Sequence, residues 1–313
     1  MGPAAVTPVG RGAAYPASVP VPEAISPRRS LAAALLAGAL HGPAEALPVS
    51  SSAHVAFVAR LAAGRRGRRP ADPEVAKSVE VGAHAGTLLG LTVGLRSEAA
   101  HALRGAIDDP GLTARTALRI VAASLPAVVG ALTLERQIER HLGGDATIAL
   151  GLVAGSAAMA TADALSPAAG RRWEDATWSD ALIVGTAQAA ALWPGVSRSG
   201  AVLTAARARG FSRGDSGKIS AALAVPAVGG ATALKVVRLG VRLRRGTMEP
   251  RHLVPLVAVT TTGALSGRVA APMARRTLEG LPLWPFAAYR VALATALAAA
   301  DCRWRAQPAD PRP

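Results

Sequence analysis

The sequence predicts an all-α protein: a polytopic transmembrane helical bundle interrupted by two re-entrant helix pairs. Half of the 313 residues are hydrophobic and only 18% are charged, below the roughly 25% of a soluble domain. Mean hydropathy is +0.30. Apolar stretches recur through most of the chain, and the length allows about eight spans of roughly 20 residues with short loops. Two clusters of Pro, Ser and Gly, at 48–52 and 194–200, cut the apolar pattern into pieces too short to cross a bilayer.

Taken in order, residues 1–29 are rich in Pro, Gly and Ala and end in Pro27-Arg28-Arg29. They lack the compact apolar core of a signal peptide and read as a disordered extension before a membrane domain at 30–305. The stretches at 30–41 and 53–63 flank the first break, and those at 180–193 and 200–206 flank the second. Lipid cannot satisfy free backbone N–H and C=O groups, so such breaks persist at membrane depth only where protein or a polar cavity surrounds them. Longer stretches lie at 78–95, 116–134, 146–164, 219–239, 253–270 and 284–300. The breaks resemble each other, Leu47-Pro48-Val49-Ser50-Ser51-Ser52 against Trp193-Pro194-Gly195-Val196-Ser197-Arg198-Ser199-Gly200, and each is followed by a Gly-rich apolar segment, 82–94 or 223–234. Matching interruptions in two halves of a membrane protein point to an internal repeat with a site at its interface.

The net charge is +15, yet aromatic residues make up only 3%, too few for base-stacking platforms. The arginines fall between the apolar segments, as at Arg65, Arg66, Arg68 and Arg69, at Arg171 and Arg172, and at Arg242, Arg244 and Arg245. They read as loops facing anionic lipid rather than nucleic acid. The single cysteine, Cys302, excludes an intramolecular disulfide and a cysteine metal site.

Ionisable groups in apolar surroundings gather at the breaks: His41, Glu45 and His54 at the first, Arg198 at the second, with Glu80 and His84 just after the first. Such groups are costly in a membrane and mark function. A helix restarting after Pro48 would place serines at its N-terminus, where free amides and the positive dipole end favour an anion. Ser51 and His54, three apart on one face, suit a nucleophile and a proton carrier. At the second break Arg198 offers a fork of donors matched to phosphate oxygens, and Gly200 leaves room for close backbone approach. Together the breaks could hold a phosphoryl group. Read singly, Ser50, Ser52, Ser197 and Ser199 are helix caps, His84 is a packing residue, Glu80 pairs with a neighbouring cation, Asp163 faces the interface, and Arg290 is an interfacial anchor among aromatics.

The strings HGPAEALPVSSSAH (41–54) and ALWPGVSRSGA (191–201) resemble the two signature motifs of the undecaprenyl-diphosphatase, or bacitracin-resistance protein, family. Further similarity covers VEVGAHAGTLLGL (79–91), SAALAVPAVGGATAL (220–234) and LPLWPFAAYRVALA (281–294). The resemblance implies a multi-pass enzyme of the bacterial cytoplasmic membrane with inverted repeats and two re-entrant helix pairs. It would remove the terminal phosphate of undecaprenyl diphosphate, recycling the peptidoglycan carrier and conferring bacitracin resistance. It assigns catalysis to Glu45, Ser51, His54 and Arg198, with His41, Ser50, Ser52, Ser197, Ser199 and Gly200 binding substrate. It also implies a divalent cation, Mg2+ or Ca2+, with Glu45 as a ligand. The expected partners are a polyprenyl diphosphate lipid and the bilayer, without nucleic acid and with a homodimer left open.

The chain departs from the motif at His41, where the family has an acidic or amide residue, and at Ala44, Ala53 and Val202. Imidazole is a poorer partner for hard cations and titrates near neutrality. The alternative function for the same architecture is a lipid-phosphate transporter or flippase, since discontinuous helices in repeats also build transporters.

Overall fold

The computed structural model describes residues 27–63, 73–167, 170–246 and 253–305. Arg65 to Arg69, and most of the expected N-terminal extension, lie outside the described residues. Twelve α-helices are described: α1 Pro27–Ala46, α2 Ser51–Ala63, α3 Pro73–Gly94, α4 Arg96–Asp108, α5 Pro110–Leu142, α6 Asp145–Leu165, α7 Trp178–Ala190, α8 Arg198–Ala208, α9 Arg213–Ala224, α10 Gly230–Arg244, α11 Leu253–Glu279 and α12 Trp284–Arg305. No strand occurs among the described residues; one isolated bridge joins Arg171 and Phe211.

Both expected breaks interrupt the helices. Pro48 ends the α1 hairpin arm and α2 restarts at Ser51; Pro194 and Gly195 separate α7 from α8. The stretch expected at 219–239 is also divided, by a π turn at Val225–Gly229. Pro226 has no N–H to donate there, so the ladder of bonds shifts by one residue. Helix α4 lacks an apolar run in the sequence. It is tied to α11 by the Glu98–Arg275 pair, and Asp109 then caps α5, accepting from the Leu112 amide at 2.9 Å.

Among the described residues, four helical segments are long and apolar enough to cross a membrane: Pro110–Leu134, Asp145–Leu165, Arg213–Arg244 and Leu253–Glu279. Leu118, Val121, Leu125, Val129 and Leu132 of α5 are all exposed, a surface that water would penalise and lipid accepts.

Small residues bring α3 and α1 against α11. Gly82, Gly86, Gly90 and Gly94 form a four-residue repeat along α3, and a Cβ at Gly86 or Gly90 would lie 2.1 or 2.0 Å from the carbonyl oxygen of Thr260 or Ala264. On α1, Gly38 and Gly42 meet α11 in the same way, at Val259 to Gly263 and at Ser266. Close backbone approach at small residues is how helices associate where lipid removes the hydrophobic drive.

Two readings of single residues are corrected by the packing. Asp163 is buried rather than interfacial: it binds Arg207 at 3.1 Å, Arg213 at 2.9 Å and the Leu283 amide at 3.0 Å. Such a buried carboxylate needs several donors to offset its lost hydration. Arg171 is not simply a lipid-facing loop cation. It pairs with the buried Asp180 at 2.8 Å and lies 4.6 Å over the Phe211 ring. Asp180 also completes the cap of α7 with Thr177.

Candidate active site between two broken helix pairs

Each break ends in a serine with left-handed backbone, Ser50 at φ 71° and Ser197 at φ 57°, followed at once by the first residue of a helix, Ser51 or Arg198. At Ser197 the turn is closed by the Gly200 amide donating to Oγ at 3.3 Å. At the first break the Ser50 and Ser52 hydroxyls pair at 3.1 Å.

The breaks converge. Arg198 Nη2 donates to Glu45 Oε1 at 3.2 Å and Nη1 to the Ser220 carbonyl at 3.1 Å. Ser51 Oγ donates to Glu45 Oε2 at 2.8 Å. Ser199 Oγ reaches the Leu47 carbonyl at 3.4 Å. Glu45 thus links a hydroxyl on one re-started helix to a guanidinium on the other. The side chains of Arg198 and Glu45 retain 20% and 12% of their exposure, leaving an approach for a ligand.

His54 shares the first turn of α2 with Ser51, as its spacing predicts, but the hydroxyl's bond goes to Glu45. The His54 ring is held on both sides. Its Nδ1 donates to the Ser50 carbonyl at 2.7 Å, so Nε2 accepts from the Tyr289 hydroxyl at 2.7 Å. The two rings stack 5.7 Å apart.

Sequence reasoning did not place Tyr289 or the buried Arg290 in this centre. Arg290 is fully buried, not an interfacial anchor. Its guanidinium donates to the carbonyls of Pro48 at 3.4 Å, Gly195 at 3.0 Å and Leu152 at 3.4 Å, so one side chain of α12 grips both breaks and α6. Gly200 makes room for it, since a Cβ there would lie 2.7 Å from Arg290 Nη1. The sequence signal was a charged residue nearly two turns inside an apolar helix.

Behind Glu45 lies a second polar group. His41 is 1% exposed; its ring meets that of His84 edge to face at 4.5 Å. One ligand atom from each of His41, Glu45 and His84 lies within 4.8 Å of the others. Glu80, as expected, pairs with a cation, Lys235 at 2.7 Å.

The fold and site define a helical membrane protein with a serine, a carboxylate and a guanidinium joined between two broken helix pairs. The chain belongs to the bacitracin resistance protein BacA family, whose model matches residues 34–296. It is 37% identical over 266 residues to the undecaprenyl-diphosphatase of Geobacter sulfurreducens, covering 82% of this chain and 93% of that protein. It is 34% identical to the undecaprenyl-diphosphatase of Geobacter metallireducens, with the same coverage. Identity to undecaprenyl-diphosphatase 1 of Rhodospirillum rubrum is 35%, over 83% of this chain and 91% of the relative. Family and helices together make the chain a multi-pass membrane protein.

Proposed function

We propose that this chain is an undecaprenyl-diphosphatase of the bacterial cytoplasmic membrane, releasing the terminal phosphate of the lipid diphosphate to leave the monophosphate carrier. The observation that carries this reading is the Ser51–Glu45–Arg198 chain of bonds across the two breaks. Arg198 binds the terminal phosphate and offsets the negative charge spread over its oxygens, the main requirement of phosphoryl transfer. Ser51 Oγ attacks that phosphorus while its proton passes to Glu45 Oε2. The anhydride P–O bond breaks and the lipid monophosphate departs. Water then hydrolyses the phosphoserine, releasing inorganic phosphate and restoring the hydroxyl. His54, fixed between Ser50 and Tyr289, holds the turn that presents Ser51. Arg290 adds a second positive charge behind the breaks.

The repeats are inverted on this reading. In support, the first helix of each half packs on a long helix of the other, α1 on α11 and α7 on α5, while α6 and α12 pair with each other. The left-handed serines occupy matching positions. The broken pairs α1/α2 and α7/α8 are then re-entrant, their turns shielded inside protein.

A divalent cation would be held by Glu45. However, Mg2+ and Ca2+ select oxygen ligands, and the groups beside Glu45 are two imidazoles, a donor set that does not suit them.

Transport has no comparable support, as the relatives named above are all phosphatases by name. The deciding experiment is phosphate release from a polyprenyl diphosphate by the purified chain in detergent. Turnover lost in Glu45→Gln and Arg198→Ala is the expected result; wild-type turnover in either variant overturns the assignment.

A further inference from the structure

We propose that His41, His84 and Glu45 form a binding site for one borderline transition dication of the Zn2+ class. Its place beside a reacting serine rests on the phosphatase reading above, whereas the ligand set stands on geometry alone.

The two histidines come from different helices, α1 and α3, and both present the same tautomer. Thr87 Oγ1 donates to the Gly263 carbonyl at 3.4 Å. The same oxygen pairs with His41 Nδ1 at 3.0 Å. His84 Nδ1–H donates to the Glu80 carbonyl at 2.9 Å. The carbonyl partner puts the His84 proton on Nδ1, and the same tautomer in His41, with Thr87 accepting, leaves both Nε2 atoms as the available lone pairs. Outer hydrogen bonds of this kind fix the tautomer and ring orientation of metal-bound histidines. His41 Nε2 is buried and has no hydrogen-bond partner, a polar atom that protein groups leave unsatisfied.

Ligand type selects the ion. Two imidazoles and one carboxylate suit Zn2+, Co2+ or Mn2+, with affinity rising toward Zn2+, while Mg2+ and Ca2+ prefer carboxylates, carbonyls and water. Bond lengths near 2.0–2.2 Å to N and O require the three donor atoms, now within 4.8 Å of one another, to draw in modestly. Three protein ligands leave a fourth position open, as in zinc centres that take an exchangeable oxygen. Glu45 also bonds Ser51 and Arg198 through the same carboxylate, so the cluster adjoins the phosphate-binding side of the site.

The test uses the untagged full chain in detergent, stripped with chelator and titrated with Co2+ while its visible ligand-field absorption is followed. The expected result is one equivalent of Co2+, displaced by stoichiometric Zn2+ but not by Mg2+ in large excess. His41→Asn and His84→Asn keep an N–H near the Nδ1 position for Thr87 or the Glu80 carbonyl but remove the Nε2 ligand. Each should weaken binding by more than the roughly 100-fold that loss of an outer partner alone can cost, without a matching loss of thermal stability, and if one fails to fold the other decides. His54→Asn, outside the cluster, should bind Co2+ like the wild type. Equal Co2+ affinity in the wild type and both Asn variants, displacement by Mg2+, or no Co2+ signal from folded wild type each overturns the site. Co2+ bound by a chain that releases no phosphate would sink the phosphatase reading and leave the metal site standing. Turnover with no Co2+ signal would do the reverse.

Discussion

Ser50 and Ser197 are the two non-glycine residues with positive φ among the described residues, and each directly precedes the first residue of a helix that delivers a functional group to Glu45. Left-handed backbone costs an ordinary L-residue about 1–2 kcal/mol, so the strain lies in the turns that aim Ser51 and Arg198. Replacing Ser197 by Val should lower stability by about 2 kcal/mol, because a β-branched side chain tolerates this region worst. Ser197→Gly should be nearly neutral, with strain relief set against the lost cap. Thermal unfolding in detergent measures both.

Arg198 and Ser51 should separate binding from attack. Arg198→Lys keeps the charge but cannot bridge Glu45 and the Ser220 carbonyl with one fork, so kcat/KM should fall about 100-fold or more. Ser51→Ala should abolish turnover, and rapid quench of the wild type should trap a phosphoserine. Substantial turnover in Ser51→Ala would instead assign the attack to water.

Tyr289→Phe removes the donor to His54 Nε2 while keeping the stacked ring. We expect kcat to fall about 10-fold with KM little changed, since the turn loosens but the Arg198 contacts to phosphate do not. A change confined to KM would place Tyr289 on the substrate instead.

Gly86→Ala should be among the most damaging small substitutions, because its Cβ would sit 2.1 Å from the Thr260 carbonyl oxygen and α3 would have to leave α11. A loss of more than about 3 kcal/mol is expected. Gly240→Ala is the control: nothing lies within 4 Å of its Cβ, and the gain in helix propensity should stabilise by up to about 1 kcal/mol. Melting temperatures of the two variants give the comparison.

Arg290→Met should reduce phosphate release about 100-fold while moving the melting temperature by only a few degrees. Three carbonyls lose a donor, each worth about 1 kcal/mol, but a buried charge without an acidic partner is also removed, which offsets the loss.

The two breaks were legible because Pro48, Pro194 and Gly195 end helices for local reasons, and the charges Glu45 and Arg198 had no structural excuse in apolar sequence. Their meeting at 3.2 Å follows from that logic. What was not legible depends on partners remote in the chain. Arg290 read as an anchor because Trp284, Phe286 and Tyr289 surround it in sequence, whereas the carbonyls it binds belong to α6 and the two breaks. Asp163 lies near the end of an apolar run, and only the approach of Arg207 and Arg213 explains its burial. His84 read as packing, for nothing in its own segment announces His41. Helix α4 was missed because its sequence holds no continuous apolar run, and its tie to Arg275 comes from α11, remote in the chain.

The grip of Arg290 also bears on motion. A carrier that exposes its cargo to one leaflet and then the other must let its halves rock apart at the centre, and here that would tear the Arg290 guanidinium from Pro48 and Leu152, both in the opposite half, on every cycle. The rivet favours a fixed reaction chamber over a rocking carrier.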